Sequence, residues 1–456
     1  MAIKLGICGL GRFGQRFIEL FKAHPLCREV VLCELRSDVL NAQARENQIA
    51  RTFASYEELL RSDVDAVAIF TQRWTHAPLA IQALKAGKHV YSAVPAGVTV
   101  DELDELVKTV EETGLTYALG ETSFYRPQTI WCRRRFAEDA FGSFVYGEGQ
   151  YHHNMAHGFY APFYNANGPD WQRVASVPPM WYITHSASHV LSVTFSRFAK
   201  VSCFGWQDDH FEEDGIFNEE LSAFDNAFSN QTALFRSADG GMARINEFRR
   251  TAAGECRQSI IGTHGAYVEQ VNPMAGTISV QQQMDGTEGD VKESAQSQAV
   301  WTDHEWEREP KHPDGSFDHE SANRLLKRSR KDMTYIHRLD GVEITEENLG
   351  DLPRDYLGKR HHGVSCVHEV ERLPREFVGL PNGHCGSHQF LVQDFMEAID
   401  TGKLPPNHVW IGARYSVGGA VAHESSKREG ESLSVPDFGL PPADLECLDP
   451  LVRLKA

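Results

Sequence analysis

Ile3-Lys4-Leu5-Gly6-Ile7-Cys8-Gly9-Leu10-Gly11-Arg12-Phe13-Gly14 is an apolar run followed by glycines spaced G-x-G-x-x-G. Residues 3–8 suit a short buried strand. Arg12–Ala23 reads as a helix with Phe13, Phe17, Leu20 and Phe21 on one face. A strand, a glycine turn and a helix in that order give the spacing a physical meaning. Gly9 permits the tight turn, Gly11 lets the backbone approach a pyrophosphate, and Gly14 lets helix and strand pack closely. The start of the helix offers free N–H groups to the anion. A second strand over Val30–Leu35 carries Glu34, twenty residues beyond the last glycine. Its carboxylate suits the hydroxyls of an adenosine ribose and repels a 2′-phosphate, so NAD is favoured over NADP. Arg36 pulls the other way, because a guanidinium can pair with a phosphate or stack on adenine.

Outward from this unit, strand and helix patterns alternate to about residue 120. Helices are expected at 42–50, 76–86 and 100–113, and strands at 52–53, 65–71, 89–92 and 115–119. Ser55 followed by Glu58 reads as a capping box. The alternation implies a parallel sheet covered on both faces, hence an α/β N-terminal Rossmann domain over residues 1–124. Arg12 and Phe13, between the glycines, and Thr71, at the end of its strand, join the cofactor set.

Beyond residue 125 a helix to about 140 precedes alternating segments at 144–151, 201–206, 231–236, 242–248, 258–262 and 266–270. They predict an α+β C-terminal domain, residues 125–456, with an open, mostly antiparallel sheet. Residues 280–360 are polar and read as a long surface excursion with little sheet of its own. Two strongly periodic helices, 389–401 and 408–426, close the chain and are expected to return near the first domain.

The 456 residues carry a formal net charge of −18, which argues against nucleic acid or an anionic membrane as partner. No apolar run approaches the ~18 residues of a membrane span. The nine cysteines form no CxxC pair, and the chain enters a strand at Ile3 with no basic-then-apolar leader. Both features read as reduced thiols in a cytoplasmic protein. The 21 histidines include His152-His153-His157, His185/His189, His361-His362-His368 and His384/His388. None is accompanied by a carboxylate or cysteine at a recognised ligand spacing, so no metal is expected.

Several stretches together resemble the glucose–fructose oxidoreductase/inositol dehydrogenase (Gfo/Idh/MocA) family. They are Ser55-Tyr56-Glu57-Glu58-Leu59-Leu60, Val64-Asp65-Ala66-Val67, His76, Ala86-Gly87-Lys88-His89-Val90, Tyr125-Arg126-Pro127, Gly142-Ser143-Phe144-Val145, Ile261-Gly262-Thr263-His264-Gly265, Phe395–Pro405 and Glu424-Ser425-Ser426. The resemblance implies hydride chemistry on sugars or related alcohols and a sheet face that makes a homodimer or homotetramer. It also implies His76 and Pro95 on the cofactor side. Where that family carries a proton-moving Glu-Lys-Pro, this chain reads Ala93-Val94-Pro95. Val94 can neither donate nor accept a proton. A branch of NAD-dependent glycoside hydrolases, of the α-N-acetylgalactosaminidase type, is similar in its Val-Pro, in Gly147-Glu148-Gly149-Gln150-Tyr151 and in Tyr182-Ile183-Thr184-His185. The residues that follow, Ser186-Ala187-Ser188-His189, depart from that branch.

Removing a hydride from a carbinol requires a base for the hydroxyl proton. His185 suits that role at neutral pH. Tyr182 lies one helical turn before it, and Tyr151 stands on the strand leaving the first domain. His153, Tyr125 and His384, the last in a Gly-His-Cys-Gly segment before a helix, complete the expected substrate side. Three outcomes remain open: net sugar oxidoreduction, glycoside cleavage with the cofactor recycled, and a dinucleotide sensor without chemistry.

Overall fold

The computed structural model describes residues 2–155, 160–207, 215–251, 255–271, 297–303, 342–343, 360–364 and 367–455. The opening unit is β1 (Ile3–Cys8), α1 (Gln15–Ala23), β2 (Cys27–Cys33), α2 (Ser37–Glu46) and β3 (Thr52–Phe53). It continues through α3 (Tyr56–Arg61), β4 (Ala66–Ile69), α4 (His76–Lys85), β5 (His89–Ser92), α5 (Val100–Thr113) and β6 (Tyr117–Leu119). The six strands are ordered β3-β2-β1-β4-β5-β6, all parallel. This is the order of a dinucleotide-binding doubly wound sheet, which opens ligand sites at the carboxyl ends of its strands. Ile3, Leu5, Ile7, Val31, Leu32 and Ala66 to Ile69 are all sealed in the core, as strands covered on both faces must be.

Local signals set most helix ends. Ser55 Oγ accepts from the Glu58 amide as expected. The fully reciprocal box forms instead at Thr99 and Glu102, heading α5, and Gly114 ends that helix in the left-handed region at φ 64°. The second helix runs 37–46 rather than 42–50, with Asp38 in its first turn. The helix expected from Tyr125 is broken. A 3-10 turn, Thr122–Tyr125, leads to an extended Arg126, and α6 (Pro127–Ala137) starts at the proline. A residue before proline is forced out of the helical region.

The second sheet is built from β7 (Phe144–His152), β8 (Phe198–Gln207), β9 (Phe228–Ser237), β10 (Met242–Phe248), β11 (Glu255–Gly262), β12 (Gly265–Val271) and β13 (Ser297–Asp303). A separate pair is β14 (Val342–Glu343) with β15 (Arg360–His361), and β16 (Leu433–Ser434) caps the far edge of the large sheet. The order is β13-β12-β11-β7-β10-β9-β8-β16; only β7 with β10 is parallel. β13 corrects the expectation of little sheet within 280–360: residues 297–303 extend the large sheet against β12. The rest of that excursion, apart from 342–343 and 360, lies outside the described residues.

Between β7 and β8 come α7 (Ala161–Asn167), α8 (Trp171–Ala175) and α9 (Thr184–Thr194). Every residue of α9 is buried. It lies in a trough made by two glycines of β7. A Cβ on Gly149 would stand 2.0 Å from the Ser186 carbonyl oxygen, and one on Gly147 would stand 2.9 Å from Val190. The last helices are α10 (Gly383–Thr401) and α11 (Val409–Lys427). α11 packs on α5, α9 and β8, and α10 packs on α1, so the end of the chain fastens the two sheets together.

Candidate active site

The glycine loop has the geometry its spacing predicts. Gly9 sits at φ 92°, and a Cβ there would meet the Phe70 carbonyl oxygen at 2.7 Å. A Cβ on Gly14 would press on the Gly9 carbonyl oxygen at 2.3 Å. At Gly11, by contrast, nothing lies within 4 Å. The first and third glycines are therefore demanded by the protein's own packing, whereas the second keeps a space open. That space lies at the head of a helix, where free N–H groups suit an anion. Glu34 braces the loop from beneath: one carboxylate oxygen accepts the Leu10 amide at 2.9 Å, the other the Arg36 amide and Nε at 3.1 and 3.2 Å. Arg36 is thereby paired within the protein. Arg12 is exposed, and Phe13 packs edge-on against His384 and His388.

Thr71 Oγ1 bonds Thr75, and its carbonyl faces His76 Nε2 at 3.1 Å. His76 Nδ1 faces the Pro95 carbonyl at 2.9 Å. Burial lowers the His76 pKa, and the neutral ring, with its single N–H, donates to one of these two carbonyls at the ends of β4 and β5. Val94, at the family's lysine position, is buried.

At the carboxyl end of β6 the structure adds a residue that the sequence reading missed. Glu121 is fully buried, and its Oε1 accepts both the Ser123 amide at 2.7 Å and His185 Nδ1 at 2.8 Å. Burial pushes this carboxyl up, but the charge and N–H of His185 and the Ser123 amide pull harder, and the net shift is downward. Its one sequence signal is an acid directly after a strand, Leu119-Gly120-Glu121, where a parallel sheet places ligands. The other His185 nitrogen, Nε2, lies 3.2 Å from the Tyr182 hydroxyl, across the turn that joins Pro179–Tyr182 to α9. Tyr151 packs on both rings, with centroids 5.1 Å from His185 and 5.7 Å from Tyr182, and His153 stands 5.2 Å from Tyr151. Burial raises the Tyr151 and Tyr182 phenols, keeping both protonated.

A buried pair closes the floor. Arg249 donates to Glu247 at 2.7 Å, and Ser186 Oγ donates to the same carboxyl. Burial pushes Glu247 up to about 7. The Arg249 guanidinium lies 5.2 Å from the Tyr151 centroid and 5.7 Å from that of Tyr182. Arg73, on the turn after β4, lies 4.0 Å over Tyr182.

His384 is held at φ 50°, first of three consecutive left-handed residues with Cys385 and Gly386. Its Nδ1 is 2.7 Å from His388 Nε2, so the pair touches the glycine loop through Phe13. Burial, and then the charge of His185, lower the His384 pKa to about 4. Tyr125 goes elsewhere. Its hydroxyl donates to Asp394 and accepts Arg372 Nη2 at 2.7 Å, and its ring stacks on Phe390. The expected substrate contact is replaced by a buried structural triad. Among the described residues no group of three or more His, Cys, Asp or Glu is placed to hold a metal ion. His157 lies outside them.

A glycine-loop doubly wound domain, with a carboxylate, an imidazole and two phenols gathered at its strand ends, defines a dinucleotide-dependent class of protein. Residues 3–121 match the model of the Gfo/Idh/MocA oxidoreductase family, NAD-binding Rossmann fold. A glycosyl hydrolase family 109 protein of Saccharopolyspora erythraea is 33% identical over 181 residues, which is 38% of this chain and 39% of the relative. One from Shewanella is 28% identical over 163 residues, 34% of this chain and 36% of the relative. The alignments thus span under two fifths of these curated relatives' length. Beyond them the likeness is one of fold. An oxidoreductase domain protein from Kribbella flavida superimposes with TM-score 0.63 at 17% identity, over 96% of this chain and all of the other. A levoglucosan dehydrogenase in complex with NADH and levoglucosan gives 0.60 at 15%, over 95% of this chain and all of the other. Myo-inositol 2-dehydrogenase from Lactobacillus plantarum gives 0.59 at 15%, over 96% and all.

Proposed function

We propose that the chain is an NAD-dependent oxidoreductase that moves a hydride between a hydroxyl-bearing carbon of a sugar or glycoside and the nicotinamide ring. The observation that carries this reading is the His185 ring, held between a buried carboxylate and a phenol at the carboxyl edge of the parallel sheet. Gly9, Gly11 and Gly14, with Glu34, would hold the pyrophosphate and the adenosine ribose; Arg12, Phe13, Arg36, Thr71, His76 and Pro95 line the same edge. Bound NAD supplies the hydride acceptor.

The chain's own groups handle the proton. Glu121, a carboxylate at neutral pH, takes the Nδ1–H of His185 and fixes the tautomer, leaving the Nε2 lone pair toward Tyr182 and the substrate. As the carbinol carbon gives up a hydride, its hydroxyl proton passes to Nε2 and a ketone remains. The imidazolium then lies against the Glu121 carboxylate, which stabilises its charge. His185 thus takes the work that a lysine at position 94 would do. Tyr151, His153 and His384 wall the pocket.

A second reading is glycoside cleavage with the cofactor recycled. It is favoured by Val94, by the names of the aligned relatives and by Glu247, a further carboxyl poised near neutrality beside the two tyrosines. The deciding experiment mixes enzyme, NAD and a panel of sugars and glycosides. Growing reduced-nicotinamide absorbance supports oxidoreduction; release of the aglycone without it supports cleavage. NAD binding with neither would leave a sensor.

The assembly belongs to the same proposal. The outer face of the large sheet exposes Phe204, Trp206, Leu234 and Met242, and a second copy of the chain is the partner that would cover it, in a homodimer or homotetramer. Eight described cysteines are unpaired, which suits a cytoplasmic setting, and no described helix is long and apolar enough to cross a membrane. The division at residue 124 separates a cofactor domain from a substrate domain.

A further inference from the structure

We propose that the substrate is a sugar carrying a carboxylate, and that Arg73 is the side chain that receives it. The inference deepens the sugar reading above and rests on it. Arg73 follows β4 in a short 3-10 turn, Arg73–Thr75, and its half-buried guanidinium faces the Tyr182 ring at 4.0 Å and Phe163 at 5.9 Å. Among the described residues it makes no hydrogen bond and no ion pair, so all five of its N–H donors are open.

Its neighbours show how unusual that is. Arg249 is matched by Glu247 and donates to the carbonyls of Tyr151, Phe248 and Pro179. The Glu121 carboxylate accepts from His185 and Ser123 instead. Neither carboxylate hydrogen-bonds Arg73, and burial together with the Arg249 charge lowers its pKa. A charge taken from water without a counter-ion is strongly unfavourable. A ligand that brings the counter-ion removes that penalty.

The ligand's chemistry follows from the vacancy. A guanidinium with no hydrogen-bonded carboxylate among the described residues calls for an anionic acceptor. A planar fork pairs two-to-two with the oxygens of a carboxylate. The wall beside the fork is aromatic: Trp74, the next residue, lies 6.5 Å from Phe163 and 5.0 Å from Phe224. Aromatic walls with a few convergent polar groups are the make-up of small-molecule pockets. Through Tyr182 the fork is one side chain from the His185 nitrogen, so a carboxylate on Arg73 would set which hydroxyl of the sugar meets the base. The cofactor's pyrophosphate is the other anion nearby, and the test separates the two.

The NAD-loaded chain is titrated with D-glucuronate and D-galacturonate, each against its neutral parent, D-glucose or D-galactose. Cofactor-stripped protein is titrated with NAD. Wild type, R73K and R73Q are compared. We expect at least one uronate to bind the wild type about tenfold or more tighter than its parent, the scale of a charge-assisted hydrogen-bond pair. R73Q should erase that preference, R73K should keep part of it, and both should bind NAD as the wild type does. A wild type that binds neither uronate, or prefers the neutral parents, overturns the carboxylate while NAD binding leaves the oxidoreductase reading standing. A preference that survives R73Q places the carboxylate on another group and overturns the assignment. Loss of NAD affinity in R73Q gives Arg73 to the cofactor and overturns it too. A wild type that binds no NAD fails the reading beneath.

Discussion

His185 is defined by what flanks it. An imidazole between a carboxylate and a phenol has its tautomer chosen for it, because a buried carboxylate accepts and cannot donate. Changing His185 to Ala should lower turnover by at least about 10²-fold with NAD affinity kept; near-normal turnover takes His185 out of the mechanism. Glu121→Gln keeps the shape but can present an N–H to Nδ1, so the ring can turn the wrong tautomer toward the substrate. Turnover should fall with little change in NAD affinity, and the pH–rate profile should shift. An unchanged profile would make Glu121 a packing residue. At the other end of the site, Glu34 holds both the glycine loop and Arg36. Glu34→Ala should narrow the preference for NAD over NADP, because it frees Arg36 and removes the repulsion of a 2′-phosphate. Equal discrimination in the variant would refute the ribose assignment.

At the scale of elements, two glycine substitutions separate folding from binding. An added methyl at Gly11 meets nothing within 4 Å. Gly11→Ala should therefore melt within a few degrees of wild type yet bind NAD markedly less well. Wild-type affinity in calorimetry would move the pyrophosphate off this loop. Gly149→Ala is the opposite case. Its methyl would stand 2.0 Å from the Ser186 carbonyl oxygen, a backbone atom that moves only if α9 moves. Overpacking of this kind destabilises by about 1–3 kcal/mol. Because α9 carries His185, activity should fall as well, although the alanine lies outside the reacting groups. A variant as active and as stable as wild type would show that α9 has room to move.

The whole molecule should be acid-sensitive. Ten histidines have pKa values lowered by burial, among them His408 and His423 to about 3 and His152 to about 4. A lowered histidine binds its proton more readily in the unfolded chain. Stability from this source is complete above the unfolded value of about 6.5 and is lost as pH falls below it toward the folded values. Glu247 acts in reverse. Its raised pKa favours the folded state at low pH, and that help fades between about 4.5 and 7; the buried Asp394 carboxyl, also raised, acts the same way, and the two stand against ten. Urea midpoints should be clearly lower at about pH 5 than at about pH 7.5; equal midpoints would mean these rings are protonated in the fold. The same scale holds the assembly. Leu234→Glu puts a charge on the exposed outer sheet face. Sedimentation should then show smaller particles than wild type, and an unchanged mass would place the contact elsewhere.

The N-terminal sheet and its glycine turn were legible in the sequence because they rest on local periodicity and on backbone conformations that few residues other than glycine adopt. The Tyr182–His185 pair was legible for the same reason, since three residues along a turn stay neighbours wherever the turn is placed. Tertiary structure alone decided the rest. It brought Glu121, sixty-four residues away in the chain, onto His185. It turned Tyr125 away to Asp394 and Arg372, and left Arg73 facing Tyr182 with no carboxylate of its own among the described residues. Contacts between distant segments depend on how helices seat on sheets, and here that seating turns on small clearances, such as the missing side chain of Gly149 beneath α9.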